Sequence, residues 1–462
     1  MIKSFKDKNI LVAGLGKSGI AVLDALKKEG AILSVCDNRN IEKDDPELHE
    51  KLKENCKEAF LGGAPVADEA WDMLVLSPGI PLSLDFVENA KKRESKIIGE
   101  IELAYLLGHG QYVAITGTNG KTTTTTLLGE IFSAADYNTV VAGNIGIPVI
   151  SQSPEATDDT WFVTEVSSFQ LETIDKFRPR IAVILNLTPD HMDRHITMEN
   201  YAAAKARVFE NQQEEDILVY NADDEVVEAL VKSARSSLLP FSRKKTLATG
   251  AYLLGDQIVY NGPGCKEPIS VLNINELGIP GTHNIENALA ATAAAFAAGV
   301  SPEIITEALK SFKGVENRIE FVHEIEGIRF VNDSKGTNPD AAIKAIEAIS
   351  EKSDIILIAG GYDKGTDFSE FIRVAKEKVK KLVLLGTTAE KIRKNALDEG
   401  FSDRDIFMTE GMNEAVRIGF ELAEPGDTVL LSPACASWDM YENYEERGNH
   451  FKSSVAELET QK

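Results

Sequence analysis

Short apolar runs recur along the chain, each closed by a glycine or a polar turn and most followed by a stretch with helical spacing. Residues 9–13 and 31–36 are the first two runs, with an amphipathic stretch at 20–26 between them and Gly30 ending it. Further runs stand at 73–76, 113–115, 139–142, 161–165, 181–185 and 217–220, and then at 328–331, 355–359, 382–385 and 428–431. Continuous apolar runs suit strands covered on both faces, as in a parallel sheet crossed over by helices. The alternation of strand and helix predicts an α/β fold. Residues 247–280 depart from it. They alternate and carry several glycines, which predicts a small antiparallel addition. A short helix at 101–107 is broken at Gly108 and Gly110. An Ala-rich helix ends at Gly299, and another, opened by Ser301 and Pro302, stops before Gly314.

Polar residues gather where the runs end. The run at 113–115 leads into Gly117, Thr118, Asn119, Gly120, Lys121, Thr122 and Thr123, and then into a helical pattern. A strand, a glycine loop and a helix N-terminus turn several backbone N–H groups toward one point, where the helix dipole favours an anion. Lys121 adds a positive charge and Thr122 a hydroxyl for Mg²⁺. The loop departs from the full phosphate-loop pattern, because Ile115 stands where that pattern has its first glycine. Its functional reading is triphosphate binding; its bland reading is a glycine-rich turn with a solvated lysine.

The first run leads into GLGKSG at 14–19, and the second closes on Asp37. That is the layout of a dinucleotide-binding unit. Phosphates would lie over Gly14 to Gly19, with Lys17 and Ser18 in the loop and a ribose or base near Asp37, Asn38 and Arg39. The alternative is a doubly wound scaffold that uses the glycines only for close packing. Ser77, Pro78 and Gly79 close the run at 73–76, again where such sheets bind ligands.

Glu165 and the stretch LNLTPDHMDRH, with His191, also follow strand runs, so a parallel sheet puts them on the same edge as the glycine loop. A carboxylate there suits a phosphate-bound Mg²⁺. His191 fits a surface loop as well as a ligand. Tyr201, Lys205 and Phe209 share one helix face, where Lys205 reads as a structural, snorkelling lysine. In the last third the polar clusters are NDSKGTNP at 332–339, GGYDKG at 360–365 and SPACASWD at 432–439.

These signals divide the chain into three α/β domains. They are a Rossmann-like domain over 1–99, a central phosphate-loop-type ATPase domain with a mostly parallel sheet over 100–314, and a second Rossmann-like domain over 315–462. Composition narrows the partners. A net charge of −24 argues against nucleic acid and anionic membranes, though not against small anions met by a few local cations. No apolar run reaches the roughly eighteen residues of a membrane helix, and the N-terminus lacks a signal-peptide pattern. The four cysteines form no CxxC pair and suit reduced thiols, so a cytoplasmic setting is expected.

Taken in order, GTNGKTTT, TEVSSFQLE, LNLTPDHMDRH, GTHNIENALAA, ENRIE, VNDSKGTNP and GGYDK resemble the Mur ligase family, along essentially the whole chain. The resemblance implies an ATP-dependent, amide-forming enzyme of peptidoglycan precursor synthesis, and so a part in cell-wall biogenesis, cell shape and division. SPGIP, GNIG and SPACASWDMYENYEERGNHF resemble the members that add D-glutamate to UDP-N-acetylmuramoyl-L-alanine. An L-alanine-adding or folylpolyglutamate-synthetase-like ligase is the alternative within the family. A nicotinamide-dependent dehydrogenase would leave GTNGKTTT without a role, and a binding module without turnover would release no ADP.

The resemblance also implies roles. Gly117 to Thr123, Asn287, Arg318 and Asp333 would bind ATP, with Lys121 against the γ-phosphate and Asp333 at the ribose. Thr122 and Glu165 would hold one Mg²⁺. His191 and Lys205 would hold a second, with Lys205 carbamylated by CO₂, which replaces the snorkelling reading. Asn144, Ser167 and Gln170 would line the muramoyl-alanine site, and Lys17, Ser18, Asp37, Asn38, Arg39, Ser77, Pro78 and Gly79 the UDP site. Thr337, Lys364, Ser437, Trp438 and Tyr444 would take D-glutamate, Tyr444 and Trp438 departing from the usual residues. A monomer is expected.

Overall fold

The computed structural model describes residues 4–65, 70–263, 265–279, 281–350, 352–363 and 365–460. Residues 1–276 with 286–310 form one compact unit, and 277–285 with 311–462 form another.

The first unit holds two sheets. In the first, β1 (Asn9–Ala13), β2 (Ile32–Asp37), β3 (Glu58–Leu61), β4 (Met73–Leu76) and β5 (Lys96–Gly99) lie in the order β3-β2-β1-β4-β5. Every pairing is parallel. The order reverses at β1, so the loops after β1 and β4 flank the switch point where such sheets take ligands.

The second sheet contains β6 (Gln111–Thr116), β7 (Thr139–Gly143), β8 (Trp161–Glu165), β9 (Ile181–Ile184), β10 (Ile217–Asn221), β11 (Ser237–Ser242), β12 (Gly250–Leu254), β13 (Gln257–Asn261) and β14 (Ile269–Asn273). Their order is β14-β13-β12-β11-β10-β9-β6-β8-β7. Pairing is parallel from β7 through β12 and antiparallel for β12–β13 and β13–β14, as the alternation at 247–280 predicts. β6 lies inside the sheet between β9 and β8, and Val113, Ala114 and Ile115 are wholly buried. Buried on both faces, the strand must be apolar, which is why its sequence runs without alternation. β11 has no such signal, because Pro240 interrupts it. Its pairing with β12 starts only at Phe241, after the residue that has no N–H to donate.

The helix Glu100–Leu107 follows β5 directly and ties the two sheets together. Glu102 accepts the N–H groups of Asp175, Lys176 and Phe177. Glu100 accepts that of Ile150 at 2.7 Å. Both carboxylates are buried.

The second unit carries β15 (Glu320–Ile325), β16 (Ile328–Asn332), β17 (Ile355–Ala359), β18 (Val379–Leu384), β19 (Ile406–Met408) and β20 (Thr428–Leu431), in the order β15-β16-β20-β17-β18-β19. Only the β15–β16 edge is antiparallel. Its polar clusters follow β16, β17 and β20, three neighbouring strands.

Candidate active site

The loops after β6, β8 and β9 meet at one edge of the central sheet. Gly120, with φ +85, opens the helix Lys121–Ala134. A Cβ there would stand 2.2 Å from Asn287 Oδ1, so the loop can approach its neighbours only with glycine. Behind the loop Asn287 is buried and accepts the Thr124 hydroxyl at 3.3 Å. Asn186, a residue that sequence reasoning missed, braces the front. Its Oδ1 accepts the Asn119 N–H at 2.8 Å and its Nδ2 donates to the Asn119 carbonyl at 3.0 Å.

Glu165 ends β8 beside this loop and is 2% exposed. Its Oε2 accepts the Thr122 hydroxyl at 2.8 Å and its Oε1 the Asn144 amide at 2.9 Å. Thr122 and Glu165 thus meet as predicted. Asn144, expected at the substrate site, is here the residue that orients the carboxylate. Ser167 and Gln170 cap the helix Ser168–Leu171 reciprocally: the Ser167 hydroxyl accepts the Gln170 N–H while Gln170 Oε1 accepts the Ser167 N–H.

Two lysines share one acceptor. Lys121 Nζ donates to the Gly117 carbonyl at 2.9 Å and to that of Thr118 at 2.7 Å. Lys205 Nζ donates to the same Gly117 carbonyl at 2.8 Å. Lys205 lies over the Tyr201 ring, whose hydroxyl meets Thr118 Oγ1 at 3.2 Å. The snorkelling reading of Lys205 is wrong. The residue is 2% exposed, because its helix packs its Tyr201 face inward and leaves the ammonium no route to solvent. Burial, and then Lys121, push its pKa well below the usual lysine range, against the pull of Asp190 and Glu165.

His191 lies beyond the end of β9 at φ +55, with its side chain 39% exposed. Its ring packs against Phe169 at 4.8 Å, and Asp190 stands 3.6 Å from Nε2.

In the first sheet, a Cβ on Gly19 would fall 1.8 Å from the Gly14 carbonyl, so this glycine serves close packing. Asp37 accepts the Leu15 N–H at 2.7 Å and is paired with Arg39. Burial pushes its carboxyl up, but Arg39 and the Leu15 N–H outweigh it and hold the pKa below the usual value. Lys17, Asn38, Arg39 and Gly79 are exposed around this loop, and Ser18, Ser77 and Pro78 are half-buried.

In the second unit Asp333 is wholly buried, accepting from Ser432 at 2.7 Å with Arg318 at 4.0 Å, and burial pushes it up to about 6. Ser437 is buried, Thr337 and Tyr444 are half-buried, and Trp438 is 61% exposed against Tyr362. Lys364 lies outside the described residues. Arg447 was not singled out by sequence. It donates to the Ser334 hydroxyl and to the carbonyls of Ser334, Cys435 and Ala436, so it joins the loops after β16 and β20.

Three family models cover this arrangement: the Mur ligase MurD-like N-terminal domain over 8–99, the Mur ligase middle domain over 115–295, and the Mur ligase, glutamate ligase domain over 317–435. The chain belongs to the Mur ligase family. A relative from Caldanaerobacter subterraneus subsp. tengcongensis, named UDP-N-acetylmuramoylalanine--D-glutamate ligase, is 50% identical over 98% of this chain and 99% of its own. One of the same name from Clostridioides difficile is 47% identical over 98% and 99%. Among solved structures, a pseudomurein peptide ligase type C from Methanothermus fervidus matches with a TM-score of 0.60 at 18% identity, over 98% of this chain and 100% of its own. A UDP-N-acetylmuramate-alanine ligase from Thermotoga maritima matches with a TM-score of 0.59 at 18% identity, over 98% and 100%. These two structures support the fold alone.

As a Mur ligase site, the edge fits Mg²⁺ in one form. Among the described residues no three His, Cys, Asp or Glu side chains form a ready-made cage. The Thr122 hydroxyl and the Glu165 carboxylate instead supply two hard oxygens next to a phosphate loop. Mg²⁺ is commonly held that way, with water and phosphate completing its shell.

Proposed function

We propose that this Mur ligase joins the L-alanyl carboxylate of UDP-N-acetylmuramoyl-L-alanine to the amine of D-glutamate, consuming ATP and releasing ADP and phosphate. Near-full-length identity of about half with relatives bearing that activity in their name carries the reading. The loop chemistry supports it. The N–H groups at the start of the helix Lys121–Ala134 and the Lys121 ammonium offer donors to a triphosphate. Lys121 now rests on its own loop's carbonyls, so a γ-phosphate would exchange with them for the ammonium. Thr122 and Glu165 would hold Mg²⁺, which when bound screens the phosphate and carboxylate anions from each other. Attack of the alanyl carboxylate on the γ-phosphorus breaks its bond to ADP and gives an acyl phosphate. The deprotonated amine of D-glutamate then attacks that carbonyl and expels phosphate.

The finer parts of the reading are these. Asn287, Arg318 and Asp333 bind the nucleoside of ATP. The loops of the first sheet and Asn144, Ser167 and Gln170 bind the UDP substrate. Thr337, Lys364, Ser437, Trp438 and Tyr444 bind D-glutamate. Lys205 reacts as a neutral amine with CO₂, losing a proton, and the carbamate with His191 would hold a second Mg²⁺. Burial, which pushes the Lys205 pKa well below the usual lysine range, supports this. The domain boundaries at 99 and 314, a monomeric state and a cytoplasmic location complete the proposal; among the described residues no helix is long and apolar enough to cross a membrane.

The test is phosphate release with ATP, Mg²⁺, UDP-N-acetylmuramoyl-L-alanine and either D- or L-glutamate. Turnover should require both the nucleotide sugar and the D-isomer. Equal turnover with L-glutamate, or without the nucleotide sugar, would overturn the reading.

A further inference from the structure

The segment after His191 takes part in a half-buried charge cluster that the reaction scheme does not use. Arg194 pairs with Glu172, their side chains only 18% and 17% exposed. The guanidinium lies 4.7 Å over the Phe169 ring, which also faces His191. Its Nη2, which donates to Glu172 Oε2 at 2.5 Å, also donates to the Ile80 carbonyl at 3.3 Å. Ile80 closes a turn whose N–H donates to the Ser77 carbonyl at 3.0 Å. The Ser77 hydroxyl in turn donates to the Gly14 carbonyl at 3.1 Å. A short chain of hydrogen bonds therefore runs from the His191 segment to both glycine-bearing loops of the first sheet.

Glu172 holds a second partner. His195 Nδ1 stands 3.7 Å from its Oε1, and His195 Nε2 meets the Ser168 hydroxyl at 3.0 Å. The backbone is strained on either side of Arg194. His191 has φ +55, and Ile196, β-branched and 77% exposed, has φ +68. A β-branched residue adopts that conformation only where the surroundings impose it.

We propose that Arg194, oriented by Glu172, is a positioning residue that sets the 14–19 and 77–79 loops against the central domain, so that affinity for the uridine nucleotide depends on a residue of the other sheet's segment. This rests on the reading of those loops as the uridine site.

The test uses the full chain with Arg194→Met, Arg194→Lys and Glu172→Gln. Calorimetric titration with UDP-N-acetylmuramoyl-L-alanine in the absence of ATP is set beside steady-state kinetics and thermal melting. Arg194→Met should weaken binding of the uridine nucleotide and raise its KM by about tenfold, while KM for ATP and D-glutamate moves by less than about threefold. Arg194→Lys keeps the charge but lacks the fork that reaches both partners, and should fall between. The double change Arg194→Met with Glu172→Gln should be no worse than Arg194→Met alone. Unchanged nucleotide affinity in a folded Arg194→Met protein overturns the proposal. So does an equal rise in all three KM values with a lowered Tm, which marks a merely structural pair. A wild-type chain that binds no uridine nucleotide overturns the site assignment itself, and the proposal with it.

Discussion

Two buried cations, one in each unit, have opposite fates. Lys205 shares the Gly117 carbonyl with Lys121 and has one other oxygen, Thr116 Oγ1, at 3.5 Å. Arg447 has four oxygens, all carbonyl or hydroxyl, at 2.7–3.1 Å. Burial acts on both. It pushes Lys205 well below the usual lysine range, while Arg447 falls only to about 10 and stays charged. An ammonium can shed its proton and become a nucleophile, whereas a guanidinium keeps its charge and spreads donors over several acceptors. The same desolvation therefore loosens the proton of Lys205 at the central sheet's edge and leaves Arg447 as scaffolding between the loops after β16 and β20.

Variants can break or sharpen that contrast. Lys205→Met should abolish turnover, by on the order of 10³-fold or more, and leave Tm nearly unchanged because a desolvated buried amine is replaced by an apolar chain. Steady-state rates and melting curves check this, and partial rescue by formate or acetate is expected if a carboxylate-like group is what is lost. Retained turnover would return Lys205 to a structural role. Arg447→Met should do the reverse. Four oxygens lose their donor, so about 3–5 kcal/mol of stability is expected to go, read by denaturant unfolding. A loss of activity at full stability would show that Arg447 serves the reaction instead.

Glu100 gives a smaller, pH-dependent effect. Burial raises its carboxyl to about 7, against the N–H groups of Ile150 and Val149. As pH rises from about 4.5, the unfolded chain loses this proton first and the folded chain keeps it until about 7. Stability from this group therefore falls across that window and is constant above it. Glu100→Gln should flatten the decline, so that its Tm exceeds the parent's at pH 8 and not at pH 5. The smallest effect is expected at Ile196. Ile196→Gly relieves the positive φ and removes an exposed apolar side chain, and Tm should stay level or rise slightly. A marked fall would mean that the side chain makes contacts the strain argument ignores.

Much of the fold is legible because each element carries its own signal. The strands β1, β4, β8, β17 and β20 stand at the runs read from the sequence, since strands buried on both faces must be apolar throughout. The short or edge strands β3, β5 and β19 and the proline-bearing β11 escaped, because a half-buried edge needs no continuous run. The site is legible where chemistry is local, as in the loop from Gly117 to Thr123 and the carboxylate closing β8. It is illegible where a role depends on distant partners. Asn186, Arg194 and Arg447 look like ordinary polar residues of loops and helices, and nothing near them in the chain names Asn119, Ile80 or Ser334.

The sequence by itself determined the alternation of strand and helix, the three sets of strand-end loops and the kinds of group placed on them, because these depend on periodicity and on residues within a few positions. Only the tertiary structure decided that Lys205 is sealed from water beside Lys121, that Glu165 is aimed by Asn144 and that the His191 segment grips a loop of the first sheet. Those outcomes depend on desolvation and on pairs far apart in the chain (88 positions for Lys205 and Gly117, 114 for Arg194 and Ile80), which no local pattern encodes.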